Sequence, residues 1–295
     1  MKSKTHELGI VILNYNNYID TINLVRSLCL QSIFESMHIV VVDNKSTDNS
    51  FPKLKELENI NPNIHVIQSK SNLGYANGNN IGLNFLEDFN ISYVAVINND
   101  VIINDRLLLS KLISEFSLLK NVGFIAPVEI DSNGIIKQNC ARKNPSFFQE
   151  ILNTFLLYVY LFPKLSSYNI NEKQSTIEVD ILSGAFLFTN FKFFKSIGFF
   201  DPGTFLFLEE RIISKKLSKL NLKQYILPKL NYKHKTSESI NKEFSNIKQQ
   251  QFFNRSLIYY LKNYSKYGLI KSVVIRIFLI FKVFQFKIYN SLKKS

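Results

Sequence analysis

The segment from Tyr93 to Val101 constrains the fold of this chain most tightly. A run of β-branched and aromatic residues, Tyr93-Val94-Ala95-Val96-Ile97, stops abruptly at Asn98-Asn99-Asp100. An apolar run of this length, bounded by polar residues, reads as a strand covered on both faces, the pattern of a parallel sheet. In open α/β sheets ligands lie beyond the carboxyl ends of the strands. Asp100 is therefore a carboxylate at a ligand rim. Leu8–Leu13 running into Asn14-Tyr15-Asn16, and His38–Val42 running into Asp43-Asn44, repeat the design. Three strands with three polar tips make one rim, and that arrangement points to an enzyme.

Strand and helix patterns alternate over the first 130 residues with short connections, the order of βαβ units. Strands are expected at Leu8–Leu13, His38–Val42, Ile64–Gln68, Ser92–Ile97 and Val122–Pro127. Helices are expected at Tyr18–Gln31, Tyr75–Phe89 and Arg106–Leu119, with another opened by Ser46-Thr47-Asp48 and Pro52. From about Val128 the alternation stops. Phe147–Phe162 reads as a very apolar helix closed by Pro163. Ile177–Phe188 is strand-like, with Ser183-Gly184-Ala185 at its centre, where small side chains mark close approach of a ligand or backbone. A helix begins near Glu209, and Phe244–Tyr267 is helical in pattern.

A chain of 295 residues with 46% hydrophobic content holds one large or two small domains with a real core. Cys29 and Cys140 imply no disulfide framework and fit a reducing compartment. No uncharged apolar stretch reaches the roughly 18 residues that span a bilayer, and the basic N-terminus leads into a strand, not a signal peptide. The net charge of +13 asks for an anionic partner: nucleic acid, a membrane surface or a phosphorylated substrate. Absent tryptophan, RNA-binding aromatic signatures and zinc-finger spacing weigh against nucleic acid. Gly268–Ile288 interleaves Val273, Ile277 and Phe281 with Lys271, Arg276 and Lys282. That composition suits a helix lying in a membrane interface, with basic residues reaching anionic headgroups. A packing helix or a homodimer contact carries a similar stripe, and both stay open.

Eight motifs follow in order: Ile-Leu-Asn-Tyr-Asn (12–16), Val-Val-Asp-Asn-Lys-Ser-Thr-Asp (41–48), Asn-Leu-Gly-Tyr-Ala-Asn-Gly-Asn-Asn (72–80), Asn-Asn-Asp-Val (98–101), Ser-Gly-Ala (183–185), Gly-Phe-Phe-Asp (198–201), Phe-Leu-Glu-Glu (207–210) and His234. Together they resemble glycosyltransferase family 2, and within it the bacterial rhamnosyltransferase-like group, from about residue 8 to 260. The resemblance implies a GT-A fold: a Rossmann-like, mostly parallel α/β sheet flanked by helices, with a C-terminal helical extension. Residues 1–127 would form the nucleotide-sugar-binding half, 128–242 the acceptor-binding and catalytic half of the same domain, and 243–295 the extension. The implied reaction is inverting, metal-dependent transfer of a sugar, rhamnose first, from a dTDP- or UDP-linked donor. The implied acceptor is a cell-surface polysaccharide or lipid-linked glycan, met at the cytoplasmic face of the membrane. Galactofuranosyl or hexosyl transfer, nucleotidyl transfer, and a non-catalytic membrane- or nucleic-acid-binding protein on a decayed version of the fold are the alternatives.

Individual residues take roles from chemistry and from the resemblance together. Asp43, at a strand tip, can accept from the imide N–H shared by uracil and thymine, against the simpler reading of a strand-ending Asx turn. Asn14 and Asn16 would shape the same pocket wall. In Asn72–Asn80, small residues admit a nucleotide to the backbone and a helix N-terminus favours phosphate. The resemblance makes Asn72, Gly74, Asn77 and Asn80 donor contacts, while the plain alternative is a helix entry with Gly74 at positive φ. By resemblance Asn98-Asn99-Asp100 occupies the place of the family's Asp-x-Asp motif: Asn98, in place of the first Asp, would hydrogen-bond the donor's ribose without bringing a charge, Asn99 would lie beside the donor, and Asp100 would ligate Mn²⁺ or Mg²⁺. His234 would reach back to the metal or diphosphate. Glutamates in a first helical turn suit the helix dipole, yet inverting transfer needs a carboxylate to take the acceptor's proton. By resemblance Glu210 is that base and Glu209 its acidic neighbour. The chain departs from the pattern at Ile212, where an acidic residue is usual, and at Lys216, where Arg is usual. Gly184 and Ala185 would lie where donor and acceptor pockets meet. Asp201 would touch the acceptor, against a turn role with Pro202.

Overall fold

Alternating side chains of the central strands feed two separate cores, which fixes where the helices must lie. In the computed structural model, which describes residues 7–155, 161, 166–235, 246–265 and 267–292, four parallel strands lie in the order β3-β2-β1-β4. They are β1 (Glu7–Asn14), β2 (Met37–Asp43), β3 (Ile64–Gln68) and β4 (Ile91–Asn98). Ile10, Ile12, Ile39, Val41, Ala95 and Ile97 pack on one face, against α1 (Tyr18–Cys29), α2 (Ser50–Lys55) and α4 (Leu108–Leu118). Val11, Val40, Val42, Val94 and Val96 pack on the other, against α3 (Gly74–Phe85). Period-two alternation between two apolar layers explains why these strands read as continuous hydrophobic runs.

The second half of the chain extends the same sheet. The antiparallel β10 (Phe186–Asn190) lies between β4 and β6 (Val122–Ile130). Next comes β11 (Lys223–His234), parallel to β6. The short β5 (Val101–Ile102) pairs with the last residues of β11, His234 opposite Val101, and β8 (Ile177–Val179) pairs nearer its start. That register brings His234 beside Asp100.

Two expectations are corrected here. The stretch Ile177–Phe188 is not one strand: it divides into β8, β9 (Ile181–Leu182) and β10, and β9 pairs with β7 (Ala141–Arg142) in a separate ladder. Ser183-Gly184-Ala185 is therefore a junction between strands, and the Gly184 amide and carbonyl there serve the side chains of Glu210 and Tyr75. The expected helix Phe147–Phe162 begins as α5 (Phe147–Leu152), with a capping box from Ser146 and Gln149; residues 156–160 and 162 lie outside the described residues. The strand β11 was not expected from sequence. The remaining helices are α6 (Phe191–Ser196), α7 (Glu209–Lys219), α8 (Asn246–Asn263) and α9 (Gly268–Leu292). Leu257, Tyr260, Leu261, Ile275 and Leu279 of α8 and α9 close over Leu208 and Ile212 at the start of α7. Among the described residues no helix is long and apolar enough to cross a membrane.

Candidate active site

The tips of the parallel strands are joined by one buried hydrogen-bond chain. Asn99 Nδ2 donates to Thr21 Oγ1 (3.1 Å), the Thr21 hydroxyl to Asn14 Oδ1 (2.8 Å), and Asn14 Nδ2 to Asp43 Oδ1 (3.0 Å). Asp43 is fully buried and also accepts from Gln68 Nε2 (3.0 Å) and from the Ser46 amide and hydroxyl. A carboxylate offers about four lone-pair positions, and these four protein donors occupy them. Asp43 thus organises the rim across β1, β2 and β3. Asn16, at φ 52°, ties its loop to Thr47 and Ser46. Thr21 is not singled out by the sequence, and Ser46 and Gln68 read there as a helix opening and a strand end, not as donors to Asp43. A threonine inside a helix carries no signature of a distant partner.

At the end of β4, Asp100 is buried and its Oδ1 lies 2.9 Å from His234 Nε2. The other ring nitrogen, Nδ1, is 3.4 Å from Glu129 Oε1, which also holds Lys137 Nζ at 2.7 Å. Burial disfavours the imidazolium, but hydrogen bonds and charge from Asp100 and Glu129 outweigh it and raise the His234 pKa to about 9. Burial likewise pushes Glu129 up, and His234 and Lys137 overcome it to leave the carboxyl below its ordinary range. Glu129 was missed. It lies one residue before the end of β6, between Val128 and Ile130, whereas that strand was expected to end at Pro127.

Carboxylate and imidazole together suit a divalent cation, and a second carboxylate behind the ring is the usual device for orienting a metal-binding histidine. The residues present fit such an ion provided that it displaces the proton that His234 Nε2 shares with Asp100, since only neutral imidazole ligates a metal. Among the described residues no three His, Cys, Asp or Glu side chains close an ion site by themselves, so a substrate would have to complete it.

The glutamate pair opens α7 directly after two left-handed residues, Phe207 (φ 73°) and Leu208 (φ 72°). Bulky residues seldom adopt that conformation, and it clusters at functional sites. Glu210 Oε1 accepts from the Gly184 amide at 3.0 Å and lies 3.9 Å from the Arg142 guanidinium. Tyr75 donates its hydroxyl to the Gly184 carbonyl (2.7 Å), and Ala185 O accepts from the Asn98 amide (2.9 Å). A Cβ at position 184 would stand 2.7 Å from Glu210 Oε1 and push the carboxylate away from this position. Gly184 and Ala185 thereby link Glu210 to the tip of β4. Glu209 is buried, and its Oε1 finds no hydrogen-bond partner. Desolvation first, then the negative charge of Glu210, push its pKa to about 8.

Several residues expected at the donor make hydrogen bonds within the chain. Asn77 Nδ2 donates to Pro202 O (3.0 Å), while Asn80 exchanges bonds with both backbone groups of Phe200. Asn72 Oδ1 accepts from Asn44 Nδ2 and the Gly74 amide. Gly74, at φ +76°, admits the Phe205 carbonyl, which a Cβ would meet at 2.0 Å. Asp201 accepts from the hydroxyls of Tyr259 (2.8 Å) and Tyr264 and from the Gly203 amide. It anchors α8, a role between the two weighed from sequence.

The family model described as Glycosyl transferase family 2 matches residues 9–198. A curated relative, the low-salt glycan biosynthesis hexosyltransferase Agl10 of Haloferax volcanii, is 28% identical over 205 residues, covering 69% of this chain and 59% of its own length. An uncharacterized glycosyltransferase of Haemophilus influenzae is 33% identical over 78 residues, 26% of this chain and 23% of that protein. The chain thus spans less than two thirds of either relative. Among solved structures, the mannosyltransferase PcManGT from Pyrobaculum calidifontis, in complex with GDP-Man and Mn²⁺, superposes with a TM-score of 0.60 at 12% identity. The match covers 94% of this chain and 69% of that one. GalNAc-T7 with UDP, GalNAc and Mn²⁺ gives 0.60 at 14% identity, covering 94% and 55%. At such identities the likeness is one of fold.

Proposed function

The chain belongs to glycosyl transferase family 2 and has a GT-A fold; on that premise we propose that it transfers a sugar from a nucleotide diphosphate donor to a glycan or lipid-linked acceptor, with inversion. The observation that carries the reading is Glu210, held at the Gly184 amide and joined through Ala185 to the β4 tip that continues into Asp100. An acceptor hydroxyl seated at Glu210 gives its proton to the carboxylate as its oxygen attacks the anomeric carbon. The bond to the diphosphate breaks on the opposite side, and the leaving group departs with the electron pair. Asp100 and His234 would hold Mn²⁺ or Mg²⁺, which when bound neutralises charge on the leaving diphosphate. Asn98 and Asn99 would meet the donor beside that ion, although Asn99 Nδ2 is here bonded to Thr21 and to the Asn17 carbonyl. Glu209, its pKa raised to about 8 by burial and by the neighbouring Glu210, holds its proton more readily than an ordinary carboxyl.

Narrower parts of the proposal have separate supports. A pyrimidine base, dTDP or UDP, rests on Asp43, where an imide N–H would replace one of the four protein donors. Rhamnose rests on the motif resemblance alone, whereas likeness to a named hexosyltransferase supports hexosyl transfer more broadly. Peripheral attachment to the inner face of the membrane rests on the net charge and on the outer face of α9.

Mass spectrometry of products, after incubation with a panel of nucleotide sugars and lipid-linked acceptors, tests the reaction. Asp100→Ala should abolish turnover, chelation should do so reversibly, and His234→Ala should weaken donor binding less severely. Full activity in excess EDTA removes the metal from the mechanism. Transfer from UDP-hexoses but not dTDP-rhamnose removes the sugar assignment alone.

A further inference from the structure

Beside Glu210 a cavity of about 180 Å³ opens between β7, α5 and the C-terminal helices, far larger than the roughly 10–15 Å³ that admits one water. Its electrostatics are unbalanced. Arg211 is buried there, but its charge is matched by Glu150 in a close ion pair. Arg142, Lys143 and Lys282 also line the cavity, and the remaining carboxylate is Glu210. Three cations against one carboxylate leave two positive charges.

Lys282 is the telling member. It projects inward from α9, donates to the Asn153 carbonyl at 3.0 Å and lies 5.3 Å over the Phe253 ring. Among the described residues no carboxylate closes an ion pair with it. Burial lowers its pKa to about 8, and Glu150 offsets that only in part. Lys282 is half-buried, and an ammonium partly withdrawn from water without an ion-pair partner is costly, a cost that falls when an anion enters. Arg142 stands 3.9 Å from Glu210, so an anion gripped here would lie close to the base.

We propose that the acceptor carries a phosphate group, held in this cavity by Lys282, Arg142 and Lys143 while a nearby hydroxyl meets Glu210. The proposal rests on the transferase reading and adds the chemical class of the acceptor. A phosphate monoester matches the two surplus charges. Lys282 sits on the inner face of α9, a helix whose outer face exposes Ile270 and Ile280. A phosphate on a membrane-anchored lipid and one on a soluble glycan both have the chemistry required.

Calorimetry on the full chain separates these sources, with farnesyl phosphate against farnesol and glucose 6-phosphate against glucose. The wild type should bind a phosphate about tenfold or more tightly than its neutral counterpart, the worth of one charge-assisted hydrogen bond. Lys282→Gln should remove most of that preference and Lys282→Arg should restore it. A preference confined to farnesyl phosphate assigns the lipid source, and an equal preference for glucose 6-phosphate assigns the soluble one. Equal binding of charged and neutral ligands by the wild type overturns the proposal, even if Lys282→Gln fails to fold. So does a preference that survives in folded Lys282→Gln. Donor hydrolysis by the wild type without acceptor tests the transferase reading separately, because phosphate binding is measured without a donor.

Discussion

Two adjacent glutamates acquire different chemistry from their surroundings. Glu210 keeps a hydrogen bond and access to the cavity, whereas Glu209 is sealed in with an unpaired oxygen. Glu210→Gln should retain nucleotide binding and lose transfer by roughly 10²–10⁴-fold, the usual worth of a general base. Glu209→Gln should be milder, and a reversal of the two effects would exchange the assignments. The buried acid also gives a pH signature. Its pKa of about 8 exceeds the unfolded value of about 4.3, so unfolding releases its proton at intermediate pH. The stability this carboxyl contributes is complete below about pH 4.3 and is lost as pH rises through about 8. Chemical denaturation of wild type and Glu209→Gln should therefore show the variant gaining relative stability between pH 5 and pH 8. A constant difference would mean that Glu209 ionises freely.

Helices and strands position the site by a few long-range clasps. The start of α7 is fixed to α5 by Arg211 and Glu150, both buried, with Tyr260 of α8 stacked 4.3 Å from the guanidinium. Glu150→Ala leaves that guanidinium buried without a counter-charge and should cost about 3–5 kcal/mol, the usual penalty for breaking a buried pair. Equilibrium denaturation measures it, and a loss comparable to an exposed pair would show that water reaches Arg211. On the opposite side, Asn77, Asn80 and Asp201 fasten the turn at 200–203 to α3 and α8. That turn leads directly into the strained residues before Glu209. The glutamates are thus aimed by clasps to residues that lie far from them in sequence.

Across the whole molecule, α9 has two faces with different tasks. Ser272, Ile275 and Leu279 face inward, while Ile270, Ile277, Ile280 and Phe281 are 81%, 50%, 72% and 58% exposed. With a net charge of +13, an exposed apolar stripe of this kind suits an anionic interface. Deleting the helix would also uncover Leu208 and Ile212, so charges on its outer face make the cleaner test. The triple variant Ile270→Glu, Ile277→Glu, Ile280→Glu should keep its melting temperature and lose flotation with anionic vesicles. Equal flotation would refute a membrane role for this face.

The strands, their polar ends and the glutamate pair were legible in the sequence because each is a local pattern. Apolar runs that end in Asn14, Asp43 and Asn98-Asn99-Asp100 announce their own termini, and two glutamates before a helical stripe announce an N-terminus. Longer-range facts had no such signal. His234 meets Asp100 across 134 positions, and that meeting depends on strand order and on β11. Lysines and Pro228 obscure that strand's alternation, and its register shifts between Leu227 and Asn231. Glu129 behind the imidazole, Thr21 within the polar chain and Lys282 beside Glu210 likewise exist only once the sheet and helices assemble. Local chemistry set which segments would become strands and which residues would end them. Packing decided the partners, since a side chain's charge and reach do not name the distant group that burial will bring to it.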